Sequence, residues 1–144
     1  MFPPDHLTAP QLVLAGGHAG MLSVIESAER APLVAPAWYS YDPGGVVRFT
    51  TEPDTRALEA VRRSGRATLS VQDAYGFVAV EGTMLISEPT DPAEFRQWAV
   101  WCLGADLGER YYRSAEDALE WMTTVRLVPQ VWHGRAAAFD ASRC

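Results

Sequence analysis

The sequence predicts a mainly β protein: an antiparallel barrel or sandwich of six or seven short strands with one small helix and one helical insert. Short apolar runs recur along the chain, and most are separated by turn signals that contain Gly, Pro or Asp. The connections between most of these runs are too short for the crossovers that a parallel sheet needs. Helical periodicity is strong mainly in one block, about residues 91–122.

The strands follow from the apolar runs and their flanking turns. They are predicted at residues 20–25, 33–41, 46–51, 67–72 and 77–86, with a closing pair at 125–128 and 130–139 around Pro129. The turn at residues 42–45 predicts that the second and third strands pair as a hairpin. Pro36 cannot donate to a strand ladder, so it indicates an edge, a bulge or a local departure of its strand.

Two short helices are expected in the first half of the chain. Thr8 caps the first, which ends at Gly16-Gly17. Asp54 or Thr55 caps the second, which places Ala57, Leu58 and Val61 on one face and ends at Gly65.

Two further helices are expected in the insert. The first begins with Asp91 as N-cap and Pro92 at the first helical position, and it ends at Gly104. Residues 114–117 resemble a capping box that opens the second, which continues through Met122.

Length and composition predict a single soluble domain, residues 1–144. Apolar residues make up 48% of the chain and charged residues 21%, as in an ordinary globular protein. No apolar run approaches the ~18 residues of a membrane helix. The first basic residue is Arg30, so the start lacks the positive region of a secretory signal. We expect a cytoplasmic protein without a membrane partner.

The charge pattern restricts the ligands. All twelve basic residues are arginines, and with eighteen Asp and Glu the formal charge is −6, the wrong sign for a nucleic-acid binder. Without lysine, an anion must be held by guanidinium groups, backbone N–H groups or hydroxyls.

Several common sites are not indicated by any motif. His6, His18 and His133 have no partner at metal-ligand spacing, so no metal is predicted. Cys102 and Cys144 suggest neither a disulfide nor a catalytic thiol. The motifs of the serine hydrolases, the dinucleotide-binding folds and the P-loop proteins are not present in the sequence.

The segment from 48 to 66 is a candidate phosphate site. Thr50 and Thr51 end a strand just before a helix that carries Arg56, Arg62 and Arg63. Hydroxyls beside a helix N-terminus, together with guanidinium groups, are suited to a phosphate. The alternative is that these arginines are solvated surface charges and that Thr55 is only a cap.

Aromatic residues form a second candidate feature. Trp38, Tyr39, Tyr41, Phe49, Tyr75 and Phe77 lie on or next to neighbouring predicted strands. Such rings can form an apolar wall for a tricyclic cofactor, or they can simply pack in the core. The insert adds Trp98, Trp101, Tyr111, Tyr112 and Trp121, which either wall the pocket or the dimer interface or pack as core.

The order of several motifs resembles the pyridoxamine 5'-phosphate oxidase-like split β-barrels, and more narrowly their deazaflavin (coenzyme F-420)-dependent reductases. The segments are LSV at 22–24, LVAPAWY at 33–39, VVRFTT at 46–51, VRRSGRATLSV at 61–71, VAVEGT at 78–83, WCLG at 101–104 and RLVP at 126–129. The resemblance as a whole covers about residues 8–139.

This resemblance implies an FMN-binding type of split barrel that forms a homodimer, with cofactors in grooves at the interface. It implies a reductase that uses F-420, or alternatively FMN, to transfer a hydride to an activated C=C or C=N bond of a small molecule. The expected cofactor-binding residues are Pro36, Trp38, Thr50, Thr51, Arg56, Arg62, Arg63, Tyr75 and Phe77. Tyr39, Tyr75 or a water would donate the proton.

Two positions depart from the family pattern. The lysine that binds the cofactor phosphate in the family corresponds here to Ala57. Arg56 is adjacent, but its side chain would leave the helix about 100° away. The usual Asp-Gly of the first hairpin is replaced by residues 28–31, Ala-Glu-Arg-Ala. A non-catalytic flavin- or deazaflavin-binding protein is therefore a further alternative.

Overall fold

A computed structural model describes residues 9–17, 19–73 and 76–136. The strands are β1 (Ala19–Val24), β2 (Leu33–Trp38), β3 (Ser40–Tyr41), β4 (Val47–Thr51), β5 (Arg66–Asp73), β6 (Gly76–Ser87) and β7 (Thr123–Ala136). The helices are α1 (Ala9–Gly16), α2 (Arg56–Ser64), α3 (Pro92–Leu103) and α4 (Ala105–Ala115), followed by a 3-10 helix (Glu116–Trp121).

All seven strands form one antiparallel sheet in the order β2-β1-β5-β6-β7-β4-β3. The sheet curls into a half-barrel, which confirms the predicted mainly β fold. Its two edge strands, β2 and β3, are consecutive in the sequence and are separated only by Tyr39. The chain therefore crosses the open side of the barrel at this residue.

The predicted hairpin between residues 33–41 and 46–51 is largely wrong. β2 pairs along its whole length with β1, and only Ser40 and Tyr41 pair with β4. The turn itself is formed, because Gly45 N–H donates to the Asp42 carbonyl at 2.7 Å. Pro36 lies on an edge strand, as its missing N–H predicted.

The predicted pair of closing strands is a single long strand, β7. A register shift opposite Glu81 and Gly82 leaves Gln130 as the extra residue of a β-bulge. Pro129 is tolerated within the strand because it stands beside this interruption of the ladder. The predicted residues 137–139 lie outside the described part of the chain.

Three of the four predicted helices have the expected ends where the structure describes them. α1 ends at Gly16, although its predicted cap, Thr8, lies outside the described residues. The Thr55 hydroxyl caps α2, and the Asp91 carboxylate caps α3 by accepting from the Glu94 N–H at 3.1 Å.

The predicted start of the fourth helix is wrong. α4 begins at Ala105, directly after Gly104, and Ser114 donates back to the Tyr111 carbonyl instead of capping a new helix. Gly104 adopts a φ of 85°, which lets α3 turn at once into α4. A Cβ at Gly108 would lie 2.5 Å from the Val100 Cα, so a glycine here permits the close packing of the two helices.

The core is divided into a barrel cluster and a smaller helical cluster. Tyr39 is fully buried in the barrel, and its hydroxyl donates to the Leu14 carbonyl of α1 at 2.6 Å. The helical cluster contains Phe95, Trp98 and Leu119, with their neighbours. No helix in the described ranges is long and apolar enough to cross a membrane.

We predict that Tyr39→Phe lowers the free energy of unfolding by about 0.5–1.5 kcal/mol, because it removes the buried hydrogen bond to the Leu14 carbonyl, which keeps only the Gly17 N–H at 3.3 Å. Urea denaturation measures the change. Tyr112→Phe on α4 is the control: the half-buried ring is kept and its hydroxyl has no hydrogen bond within the described residues, so we expect a change within about 0.5 kcal/mol. Equal stability of the Tyr39 variant and the unsubstituted protein would contradict the prediction.

Candidate functional site

A groove of about 360 Å³ lies at the open side of the half-barrel. Residues of β2, of the end of β4 and of the first turns of α2 line the groove. The insert adds Trp98, Tyr111 and Met122 to the lining. The lining residues of the groove are Leu22, Ala35, Pro36, Ala37, Trp38, Phe49, Thr50, Thr51, Glu52, Thr55, Ala57, Leu58, Val61, Trp98, Tyr111, Met122 and Val125. Most of these side chains are apolar, and the polar ones cluster where β4 meets α2.

Helix α3 is attached to the strand break beside the groove. The Trp98 indole N–H donates to the Trp38 carbonyl at 2.8 Å, and the Cys102 thiol donates to the Tyr39 carbonyl at 3.4 Å. Burial raises the pKa of Cys102 to about 11, so the thiol stays protonated and can donate at neutral pH. These bonds bring Trp98 against the groove.

A group of charged side chains holds the first turn of α3 on the sheet. Glu94 binds Arg126 of β7, and the Arg48 Nε of β4 lies 3.4 Å from the same carboxylate. Arg126 also donates to the Ser87 hydroxyl at 2.7 Å. Because Glu94 and both arginines are mostly buried, they fix the helix more firmly than a surface pair would.

The polar end of the groove consists of hydroxyl groups and a helix N-terminus. The Thr51 and Thr55 hydroxyls lie 3.4 Å apart, and the Leu58 N–H donates to the Thr55 hydroxyl at 3.2 Å. The first N–H groups of a helix have no partner within the helix and carry a partial positive charge. Ala57, the position of the family lysine, lines this end with an uncharged methyl group.

The predicted arginines of α2 point to other partners. Arg56 forms a bidentate salt bridge with Glu26, with N–O distances of 2.8 and 2.6 Å. This salt bridge lowers the pKa of Glu26 and raises the pKa of Arg56. Arg62 binds Glu88, and Arg63 lies 3.4 Å from Glu59. None of the three arginines is among the residues that line the groove.

The remaining predicted residues are divided between the groove and other places. Pro36, Trp38, Thr50 and Thr51 all line the groove, so the structure brings these four together. Phe77 instead lies in a depression on the outer face of the sheet, with its ring 5.5 Å from that of His133. Tyr75 lies outside the described residues.

Tyr39 is unsuited to the proposed role of proton donor. Its side chain is fully buried, its hydroxyl is bound to Leu14, and it does not line the groove. Burial also raises its pKa well above the usual value, which makes proton release harder. Its neighbour Trp38 is 56% exposed and lines the groove, as expected where successive residues of an extended chain point to opposite faces.

The groove contains residues that the motifs did not single out as binding residues. Trp98, Tyr111 and Met122 come from the insert, and Glu52 is the one charged side chain in the described lining. Core packing and a wall of the pocket were alternatives for Trp98, and the structure combines them, because the residue is 8% exposed and still lines the groove. Within the described ranges, no group of three His, Cys, Asp or Glu could hold a metal.

The Glu88 pair predicts a pH dependence of stability. A hydrogen bond from Thr123, at 2.9 Å, and the contact with Arg62 lower the pKa of Glu88 below its ordinary value of 4.5. The folded protein therefore binds fewer protons at this group than the unfolded chain does. The stabilisation is complete above pH 4.5 and is lost as the pH falls through the lowered pKa.

We therefore expect Glu88→Gln to be less stable than the unsubstituted protein near neutral pH, and the difference to shrink on acidification. Urea unfolding at about pH 7 and about pH 3.5 measures both values. Glu59→Gln, which removes an exposed pair at 3.4 Å, is the matched control and should change little. A difference that stays constant with pH would rule out this role of Glu88.

Comparisons with known proteins show similarity in structure only. No family model and no curated protein matches the sequence. A solved structure named F420 reductase has a TM-score of 0.66 and 18% identity, covering 88% of this chain and 98% of that chain. A conserved hypothetical protein from Mycobacterium tuberculosis has a TM-score of 0.70 and 15% identity, covering 96% and 87%.

A third solved structure comes from Clostridium acetobutylicum and is described as related to general stress protein 26, of the pyridoxinephosphate oxidase family. Its TM-score is 0.63 with 16% identity, covering 87% of this chain and 84% of that chain. Identities this low carry the fold and not the activity. The chain therefore has the split β-barrel fold of the pyridoxamine 5'-phosphate oxidase-like proteins.

Proposed function

We propose that the groove binds the deazaflavin coenzyme F-420 and that the protein is a reductase of an activated C=C or C=N bond in a small molecule. FMN in the same groove is the alternative cofactor. The observation that carries the proposal is the lining of the groove, in which a long apolar wall ends in hydroxyl groups at the start of α2. The structural neighbour named F420 reductase supports the choice of cofactor.

The apolar part of the groove fits a planar ring system. Pro36 and Trp38 form one wall, and Phe49, Leu58 and Val61 extend the apolar surface. The volume of about 360 Å³ falls within the ~300–1,000 Å³ typical of cofactor and ligand sites. Burial of such a ring between apolar walls is favoured by the hydrophobic effect and excludes water from its reactive face.

The polar end of the groove suits the anionic tail of the cofactor less well than the apolar part suits its ring. Thr50, Thr51 and Thr55 offer hydroxyl donors, and the N-terminus of α2 offers N–H groups and a partial positive charge. No cationic side chain joins them among the described lining residues, and Glu52 opposes an anion. We therefore expect a cofactor held mainly by its ring and by neutral donors, with weaker binding than a lysine at position 57 would provide.

The reduced deazaflavin would supply the hydride. The residues of this chain would orient the ring along β2, keep the site dry and position the acceptor. Since Tyr39 is buried and bound to Leu14, the proton must come from another group or from water.

The position of Ala57 makes a gain of affinity testable. We predict that Ala57→Lys strengthens binding of oxidised F-420 by about tenfold or more, because one charge-assisted hydrogen bond is worth ~1.5–3 kcal/mol. Quenching of cofactor fluorescence measures the dissociation constant. Ser64→Lys, which adds the same charge at the exposed far end of α2, is the control.

Equal gains from both lysine variants would mean that net charge, and not the groove, controls binding. Arg56→Ala extends the test, because Arg56 would have to leave Glu26 to reach the tail. We expect Arg56→Ala to change the affinity by less than about threefold. A loss of about tenfold or more would show that Arg56 replaces the family lysine after all.

Parallel titrations with F-420 and FMN separate the alternatives. Tight F-420 binding with weak FMN binding, followed by reduction of an enone by the loaded protein, supports the proposed reductase. Tight binding without turnover of any enone supports a non-catalytic binding protein. Failure of both cofactors to bind would overturn the proposal.

We also propose that the protein is a homodimer that pairs through the outer face of the sheet. Side chains on this face include Met21, Val34, Trp38 and Phe77, which are 44%, 51%, 56% and 39% exposed. The depression around Met21 and Phe77 has no charged residue in its described lining. It shares Pro36 with the groove, so a second copy seated there would reach the rim of the groove.

Met21→Glu is predicted to shift the protein from dimer to monomer, because it places a charge in the centre of this apolar face. Sedimentation velocity measures the oligomeric state. Leu107→Glu on α4, where the side chain is 58% exposed, is the control and should remain dimeric. A monomeric unsubstituted protein, or a Met21 variant that stays dimeric, would contradict this arrangement.

A further inference from the structure

A second cavity, of about 190 Å³, lies between Trp38 and the helices α3 and α4. It is lined by Trp38, Trp98, Ala99, Cys102, Leu103 and Tyr111. Three of these residues, Trp38, Trp98 and Tyr111, also line the groove. The cavity and the groove are therefore adjoining compartments that share one set of aromatic walls.

Two of the polar side-chain groups of this cavity are used within the protein. The Trp98 N–H is bound to the Trp38 carbonyl, and the Cys102 thiol is bound to the Tyr39 carbonyl. No charged side chain belongs to its lining, as far as the structure describes the chain. A charged ligand would thus lose its hydration without gaining a partner, which is costly.

Two donors of the lining have no hydrogen-bond partner within the described segments, the Tyr111 hydroxyl and the Trp38 indole N–H. Of the two, Tyr111 is the better positioned, because its ring stacks on Phe95 at 5.6 Å and packs against Trp98 at 6.4 Å. Its side chain is 42% exposed, so it borders both the cavity and solvent. The lining therefore combines apolar, aromatic walls with a tyrosine that neighbouring rings hold in place.

We propose that this cavity is the acceptor-binding site and that it takes an uncharged, planar, apolar molecule with one oxygen that accepts a hydrogen bond from Tyr111. Aromatic walls favour a flat ring, and the volume equals that of roughly six water molecules at ~30 Å³ each, so the ligand is small. Tyr111 both orients the molecule and polarises the group that bears the oxygen. As an assignment of the acceptor, the inference rests on the proposed reductase function.

Equilibrium dialysis of the cofactor-free protein with three matched probes tests the site. The probes are 2-acetylnaphthalene, which has one carbonyl oxygen, naphthalene, which has none, and 2-naphthoate, which is charged. We expect 2-acetylnaphthalene to bind most tightly and 2-naphthoate most weakly. Tyr111→Phe should weaken the binding of 2-acetylnaphthalene by about three- to tenfold and leave the affinity for naphthalene unchanged.

Two further variants locate the effect. Tyr112→Phe is the matched control, since Tyr112 is the neighbouring residue on α4 but does not line the cavity, and it should not change the binding of either uncharged probe. Leu103→Trp fills a position that lines this cavity and not the groove, so it should weaken the binding of both uncharged probes. Circular dichroism verifies that each variant is folded.

The inference is overturned if 2-naphthoate binds most tightly, if no probe binds saturably, or if Tyr111→Phe weakens the binding of both uncharged probes equally. If no probe binds but the affinity for F-420 is normal, the proposed acceptor site is wrong and the proposed cofactor site is still supported. If the probes bind in a Tyr111-dependent way but neither F-420 nor FMN binds, the proposed reductase function is wrong and the ligand-binding site is still supported.

Discussion

The rest of the structure depends on how the strand break between Trp38 and Tyr39 is satisfied. At this break the chain passes from one edge of the sheet to the other, and two carbonyls accept from Trp98 and Cys102 of α3 instead of from a strand. Both carbonyls are partly buried, and each bond to α3 contributes about 0.5–1.5 kcal/mol. The same two bonds place the insert over the open side of the barrel, which creates both the groove and the adjoining cavity.

Charge pairing explains why the groove is nearly neutral in a chain with twelve arginines. Arg56 and Arg62 each meet a carboxylate that lies outside α2, on Glu26 and Glu88. Arg126 and Arg48 are bound to Glu94, where they hold α3. Because these guanidinium groups are already neutralised, recognition in the groove depends on shape, hydroxyl groups and a helix N-terminus.

Local signals predicted most of the elements, while pairing and side-chain direction required the fold. Caps such as Thr55 and Asp91 act within one turn of their helices, so a short stretch of sequence contains the whole interaction. The partner of β2 could not be predicted in this way, because β1 and β4 are both sequence neighbours with apolar patterns. α4 was missed because its start depends on the left-handed Gly104 and on close packing at Gly108, which a helix-cap pattern does not reveal.

By itself, the sequence determined the fold class and the caps at Thr55 and Asp91, since these follow from local chemistry and from the order of motifs. Four predicted residues, Pro36, Trp38, Thr50 and Thr51, also lie together in the groove, because strand ends next to a helix start meet in this fold. Only the tertiary structure decided that Arg56 turns to Glu26, thirty residues away, and that Tyr111 lines the cavity. Ion pairs and cavities bring together residues from distant segments of the chain. A local sequence pattern cannot predict which of these residues will be in contact.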